Sequence, residues 1–174
     1  FSFCVVDRDM APLYPAILWN DTRCDWESEF ARSKKDPAHI FSRTGFPPGQ
    51  WSLYKLLWLN KHEPAVYDAI HRIVLVPDYL NWRLTGELAT SQSSAAMTGA
   101  LDIAAPDAWA KDIIRDLGVR DDIWVERILP GAAGLGAVTR AAAADTGLPE
   151  GLPVYAAAGD QPCGSLASGV NRRG

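Results

Sequence analysis

Two stretches of the 174-residue chain bring together side chains that could act on a hydroxylated substrate. The first reads Pro153-Val154-Tyr155-Ala156-Ala157-Ala158-Gly159-Asp160-Gln161-Pro162-Cys163-Gly164. An apolar run ends there in glycine and aspartate, and at the carboxyl end of a strand in an α/β sheet side chains project into the crevice where ligands bind. A carboxylate so placed can take the proton of a hydroxyl as its oxygen attacks phosphorus, a role worth about 10² to 10⁴ in rate. Gly159 permits close backbone approach, the small residues after Asp160 leave room, and Gln161 could orient the same substrate through its amide. Gly-Asp is equally a common turn, so the pair alone leaves both readings open.

The second stretch is Pro15-Ala16-Ile17-Leu18-Trp19-Asn20-Asp21-Thr22-Arg23. An aromatic ring followed by amide, carboxylate and guanidinium groups suits a polyol, whose carbon faces stack on rings while its hydroxyls need fixed polar partners. A core tryptophan followed by a helix cap at Asn20 or Asp21, with Asp21 and Arg23 as surface charges, accounts for the same residues.

The elements that must position these groups follow from periodicity and turn chemistry. Residues 1–7 are apolar and partly β-branched, residues 7–10 supply a turn, and residues 16–19 are apolar again, which predicts a β-hairpin. Asn20, Asp21 and Thr22 are candidate caps for a helix reaching Ser33. Leu53, Leu56, Leu57 and Leu59 form a helical stripe over 52–62, and Pro64 begins a second helix to Ile70. Residues 72–76 read as a strand ended by Pro77, and 78–84 as a helix stopping near Gly86. The small, hydroxyl-rich residues 89–100 suit either a connecting loop or a tightly packed stretch, and 91–98 are expected to pack against the substrate-side lobe. A helix over 109–117, a Gly and Ala loop over 130–136, a helix over 139–146 closed by Gly147, and a strand over 154–158 complete the series. Strands alternate with helices, so the class is α/β.

Composition narrows the function. With 48% hydrophobic and 22% charged residues and a net charge of -4, the chain has the make-up of a soluble globular protein. No basic stripe could neutralise a run of nucleic-acid phosphates, and Asn171-Arg172-Arg173-Gly174 reads as a solvated turn. Cys4, Cys24 and Cys163 have neither disulfide-framework nor C-x-x-C spacing, and His39, His62 and His71 lack metal-ligand spacing, so no metal site is predicted. A reducing cytoplasm fits, and no apolar run approaches the ~18 to 20 residues of a membrane span. Asp78 reads as a cap or structural acceptor rather than a second catalytic acid.

Taken in order, further landmarks join the two stretches: Thr44-Gly45, Lys55-Leu56-Leu57-Trp58-Leu59 with His62-Glu63-Pro64, Pro77-Asp78-Tyr79-Leu80, Leu84-Thr85-Gly86-Glu87, Ser94, Leu101-Asp102, Trp109 and Thr146-Gly147-Leu148. With them the chain resembles the FGGY carbohydrate kinases, most closely their xylulokinase-like branch. The resemblance implies part of an actin-like, ribonuclease H-like sugar kinase, mostly its sugar-binding N-terminal lobe, and ATP-dependent phosphorylation of a sugar or polyol hydroxyl, with a pentulose such as xylulose favoured. By position it implies that Asp160 is the general base, Gln161 a substrate contact and Trp19 the ring that packs on the substrate, while Gln50 and Trp51 match a substrate-contact region more loosely. ATP and Mg2+ are the implied cofactors of the complete enzyme, and a homodimer is compatible with many relatives. The expected organisation is a sugar-binding lobe over 1–158 without its first phosphate hairpin, then the catalytic aspartate segment and the start of the nucleotide-binding lobe over 159–174. A chain lacking both phosphate-binding regions is expected to be inactive alone. The alternative is a non-catalytic sugar-binding or regulatory remnant of such a kinase.

Overall fold

The computed structural model describes residues 2–156 and 158–170; Phe1, Ala157 and the predicted basic turn at 171–174 lie outside the described residues. Phe3, Val5 and Val6 are buried in β1 (Phe3–Val6). That strand pairs antiparallel with β2 (Arg72–Leu75), Phe3 opposite Leu75 and Val6 opposite Arg72. The predicted hairpin partner is therefore not the main neighbour of β1. It survives as two isolated bridges, Phe3 with Ile17 and Val6 with Pro12. Pro12 and Pro15 have no N–H to give a ladder, and Asp7 spends its Oδ1 on the N–H groups of Asp9 and Ala11, at 2.9 Å each, to form the turn.

Four helices follow: α1 (Asp25–Lys34), α2 (Pro37–Thr44), α3 (Ser52–His62) and α4 (Pro64–Ala69). The first begins later than predicted, with Cys24 at its N-cap and no side-chain cap, so Asn20 and Asp21 are not its caps. The second was not anticipated, although its signals are present: Asp36 accepts the Ala38 N–H at 3.0 Å, Pro37 stands in the first turn, and Gly45 closes the helix at φ 79°. The α3 and α4 helices have their predicted extents to within a residue. In α5 (Val76–Thr85) Pro77 sits in the first turn rather than ending β2, because a helix start needs no N–H there.

The hydroxyl-rich stretch is neither exposed nor irregular. It forms β3 (Thr90–Ser91), parallel to β4 (Ile128–Leu129), and α6 (Gln92–Ala96), whose N-cap Ser91 accepts the Ser94 N–H. Ser91, Ser94, Ala95 and Thr98 are buried. Helix α7 (Lys111–Asp116) is shorter than predicted because Trp109 bridges back to Leu101; its indole N–H donates to Val125 O at 2.8 Å and its ring lies 4.8 Å from Trp124. The predicted Gly and Ala loop contains β5 (Gly134–Ala137), bulged between Gly134 and Gly136 and paired antiparallel with β6 (Pro153–Tyr155). Between them lies α8 (Arg140–Thr146), capped by Thr139 and closed by Gly147. After β6 the chain enters α9 (Asp160–Ala167). The main core gathers Phe3, Ile17, Leu53, Leu56, Leu59, Ile113, Ile114 and Trp124 around α3.

Two glycines separate backbone need from packing need. Gly99 has φ 73°, and a Cβ there would meet Trp51 Cβ at 2.9 Å; Gly118 has φ 85° with open space around it. Gly118→Ala is expected to cost about 1 to 2 kcal/mol, the left-handed penalty alone. Gly99→Ala should cost a further ~1 to 3 kcal/mol for overpacking against Trp51. Urea unfolding of both variants checks this; equal losses would show that Trp51 is not held against Gly99.

Candidate functional site

Trp19 and Asn20 are the central residues of a tight turn closed by the Asp21 N–H on Leu18 O at 3.2 Å. Both sides of the Trp19 main chain are fastened. Its N–H donates to Ser2 Oγ at 3.1 Å, and its carbonyl accepts from Lys55 Nζ at 3.0 Å, the same ammonium reaching Leu18 O at 2.8 Å. Lys55 lies on α3 with 1% of its surface exposed, and burial pushes its pKa down. The Trp19 ring, by contrast, is 69% exposed. A fixed backbone under a free ring is what a stacking platform for a sugar face requires.

The charges beside it are turned on each other. Arg23 Nη2 meets Asp21 Oδ2 at 2.7 Å and Arg23 Nε meets Asp21 Oδ1 at 2.9 Å, so the guanidinium holds the Asp21 carboxyl below its ordinary range. The guanidinium carbon also lies 4.6 Å from the centre of the Trp58 ring and 5.8 Å from that of Tyr14. With its fork and its faces engaged, Arg23 braces the turn, and Asn20 is the exposed polar group at the tip.

Gln50 and Trp51 lie where the loop before α3 meets α1. The Cys24 thiol donates to Gln50 Oε1 at 3.0 Å, and Gln50 Nε2 donates to Asp25 Oδ1. Burial pushes the Cys24 thiol up to about 11, so it stays a thiol. Ser28 Oγ donates to Gly49 O at 2.7 Å, and Arg32 Nη2 to Pro48 O at 2.6 Å, binding the same loop to α1. Trp51 packs on Phe46, with ring centroids 4.3 Å apart, and donates its indole N–H to Pro47 O at 2.9 Å. The polar groups of both residues thus have partners inside the chain. Gln50 is bonded to the N-terminal end of α1 and Trp51 precedes α3, while Trp19 reaches α3 through Lys55.

Asp160 and Gln161 are carried separately. Both are exposed in the first turn of α9, where helix N–H groups lack intrahelical partners and a negative charge is favourably placed. Asp160 thus begins a helix instead of ending a strand directly, β6 having stopped at Tyr155. The segment is anchored by the buried Gly159, whose N–H donates to Ser93 Oγ of α6 at 3.0 Å. The hydroxyl-rich stretch therefore fixes the approach to Asp160, a role that its small, buried side chains signal in hindsight. Among the described residues no group of three or more His, Cys, Asp or Glu converges as a metal cage, and no helix is long and apolar enough to cross a membrane.

Residues 2–167 match the sequence pattern of the FGGY family of carbohydrate kinases, N-terminal domain. The chain belongs to this family. A xylulose kinase of Klebsiella pneumoniae is 32% identical over 166 residues, covering 95% of this chain and 34% of the relative. An autoinducer-2 kinase of Enterobacter sp. is 41% identical over 120 residues, covering 69% of this chain and 22% of the relative. The crystal structure of a xylulose kinase from Rhodospirillum rubrum superimposes with a TM-score of 0.92 at 36% identity, over 99% of this chain and 35% of that one. The fold is accordingly that of the actin-like, ribonuclease H-like FGGY kinases, as the sequence implied. The chain spans about a third of the length of these xylulose kinases.

A second aspartate of this FGGY chain is buried where Asp160 is exposed. Asp78, in the first turn of α5, is 3% exposed and lines a narrow, mostly apolar crevice with Thr90, Thr98 and Trp109. Its Oδ2 has no hydrogen-bond partner among the described residues, and burial raises its pKa to about 7, against a smaller opposing influence of the Thr90 hydroxyl. The unfolded chain ionises it near ~3.9. Between these values the folded protein holds a proton that the unfolded one releases, so this contribution to stability is full below pH ~4 and is lost as pH rises through about 7. Against the parent, Asp78→Asn should gain up to about 1.4 kcal/mol for each pH unit crossed in that window and nothing further above it. Denaturant unfolding at pH 4 to 8 measures the difference; a constant offset would mean that Asp78 is ionised in the folded protein.

Proposed function

We propose that this chain is the sugar-binding part of an ATP-dependent carbohydrate kinase that phosphorylates a hydroxyl of a sugar or polyol, with a pentulose such as xylulose the preferred substrate. The supporting observation is the exposed carboxylate of Asp160, presented by an anchored helix start in a chain of the FGGY family. Xylulose kinases among the relatives support the choice of pentulose. The lobe division proposed is 1–158 and 159–174, supported by the passage from β6 to α9 on either side of Gly159.

In this reading Asp160 accepts the proton of the attacking hydroxyl, Gln161 hydrogen-bonds a neighbouring hydroxyl, and the Trp19 ring covers a carbon face. Gln50 and Trp51 shape the same pocket from the loop before α3; a sugar contact by the Gln50 amide would have to displace Cys24 or Asp25. ATP and magnesium are the proposed cofactors. Phosphoryl transfer depends on positioning and on charge stabilisation around the phosphates, and residues 1–174, about a third of the length of the xylulose kinases they match, should not turn over alone. The free thiols of Cys4, Cys24 and Cys163 fit a reducing cytoplasm.

The test is Asp160→Asn in the complete kinase. Its side chain keeps the size of aspartate but loses the basic oxygen, so turnover should fall by about 10² to 10⁴ while sugar affinity changes much less. Steady-state kinetics and sugar titration read the two effects. Turnover within a few-fold of the parent, with fold and nucleotide binding intact, would remove Asp160 from the role of base.

A further inference from the structure

Lys55 is the one lysine among the described residues that is fully buried, and no carboxylate bonds to its ammonium. Nζ donates instead to two successive main-chain carbonyls, Leu18 O at 2.8 Å and Trp19 O at 3.0 Å. A buried ammonium is unfavourable unless its protons are used, and a lysine at the end of a four-carbon stem is a compact donor able to serve two oxygens at once. Those oxygens belong to the turn that displays the exposed Trp19 ring and Asn20. On the opposite side Ser2 Oγ accepts the Trp19 N–H at 3.1 Å, so the peptide groups flanking the ring are held from both sides. The same lysine begins the second turn of α3, where its N–H donates to Trp51 O at 3.3 Å. One residue therefore connects the Trp19 turn to the helix end that carries the Gln50-Trp51 loop.

We infer that Lys55 is a positioning residue for sugar binding: through its two carbonyl bonds it sets the Trp19 turn against α3, and thereby the placement of the ring on the substrate. This rests on the proposed role of Trp19 as the substrate-covering ring. Lys55 touches neither sugar nor nucleotide and acts through Trp19. Loss of the ammonium leaves Trp19 O without that donor and lets the turn shift, and a displacement of about 1 Å in a positioning element can cost as much as 10²-fold.

The experiment is a double-mutant cycle in the complete kinase, read as separate KM values for sugar and ATP. Trp19→Ala and Lys55→Met are each expected to raise the sugar KM by about 10- to 100-fold and to leave the ATP KM within a few-fold. Because both act through one ring, the double variant should resemble Trp19→Ala rather than show the product of the two effects. Ser2→Ala provides a milder route should Lys55→Met fail to fold: it frees the Trp19 N–H and should raise the sugar KM by roughly 3- to 10-fold in the parent and leave it unchanged in Trp19→Ala. If Trp19→Ala raises the sugar KM but the lysine and serine effects multiply with it, or fall equally on ATP, the positioning role is overturned while the role of Trp19 stands. If Trp19→Ala leaves the sugar KM unchanged, the substrate role of Trp19 and the inference built on it fail together.

Discussion

The first turn of α3 is the place where the chain's separate segments are made to agree. A helix start leaves N–H groups without intrahelical partners, and here one of them, on Leu53, is satisfied by Thr98 O at 3.1 Å, from the end of the hydroxyl-rich stretch. Two residues on, the Lys55 ammonium takes the carbonyls of the Trp19 turn. Between them Trp51 presses against Gly99, a position where no side chain could be accommodated without movement. Three segments distant in sequence thus meet at one helix end, each through a polar group or backbone surface that cannot be left unpaired in the interior. The hydrophobic face of α3, with Leu53, Leu56 and Leu59 buried, supplies the driving force. Directional bonds at its N-terminus determine which arrangement that force selects.

Aromatic faces and charges extend this arrangement outward. Arg23 lies on one ring, Trp58, whose other neighbour in the same α3 helix is the stacked ring of His62, 4.8 Å away. His62 Nε2 in turn is 3.8 Å from Oε1 of the buried Glu27 in α1. Each contact is modest, since an exposed cation over a ring is worth about 0.5 to 1 kcal/mol. Their geometric effect is larger than their energies suggest, because α1, α3 and the Trp19 turn cannot slide independently while the stack persists.

The sequence revealed these elements unevenly, and the reasons are local. Helix α3 was legible because its apolar stripe, polar flanks and following Pro64 all indicate the same element. Helix α2 carried Asp36, Pro37 and Gly45 in the right order but only eight residues between them, too few for a periodic stripe to stand out. The 89–100 stretch has small side chains that carry little hydrophobic signal, and its burial depends on close backbone approach to Trp51 and on the chain that follows it. The pairing of β1 with β2 instead of the nearer residues 16–19 is non-local and is decided by the prolines that interrupt the closer ladder. Asp160, Gln161 and Trp19 could be put forward as candidates from chemistry and family resemblance. The restraint of the Trp19 turn could not, because a lysine within a leucine-rich helix looks like a solvated residue until the fold shows what its ammonium reaches.

Asp78 and Asp160 lie in opposite surroundings, one buried and the other exposed at a helix start. Burial raises Asp78 to about 7, the value that would suit a general base at neutral pH, yet its side chain is only 3% exposed and faces mostly apolar neighbours. Asp160 stands exposed at a helix start, secured through its neighbour Gly159 to a serine of another element. For proton transfer the first condition is that donor and acceptor can come within hydrogen-bond reach, and the match of pKa values matters only after that. Asp78 fails the first condition whatever its titration. Asp160 is exposed, and the bond that anchors the neighbouring Gly159 leaves its side chain open to solvent.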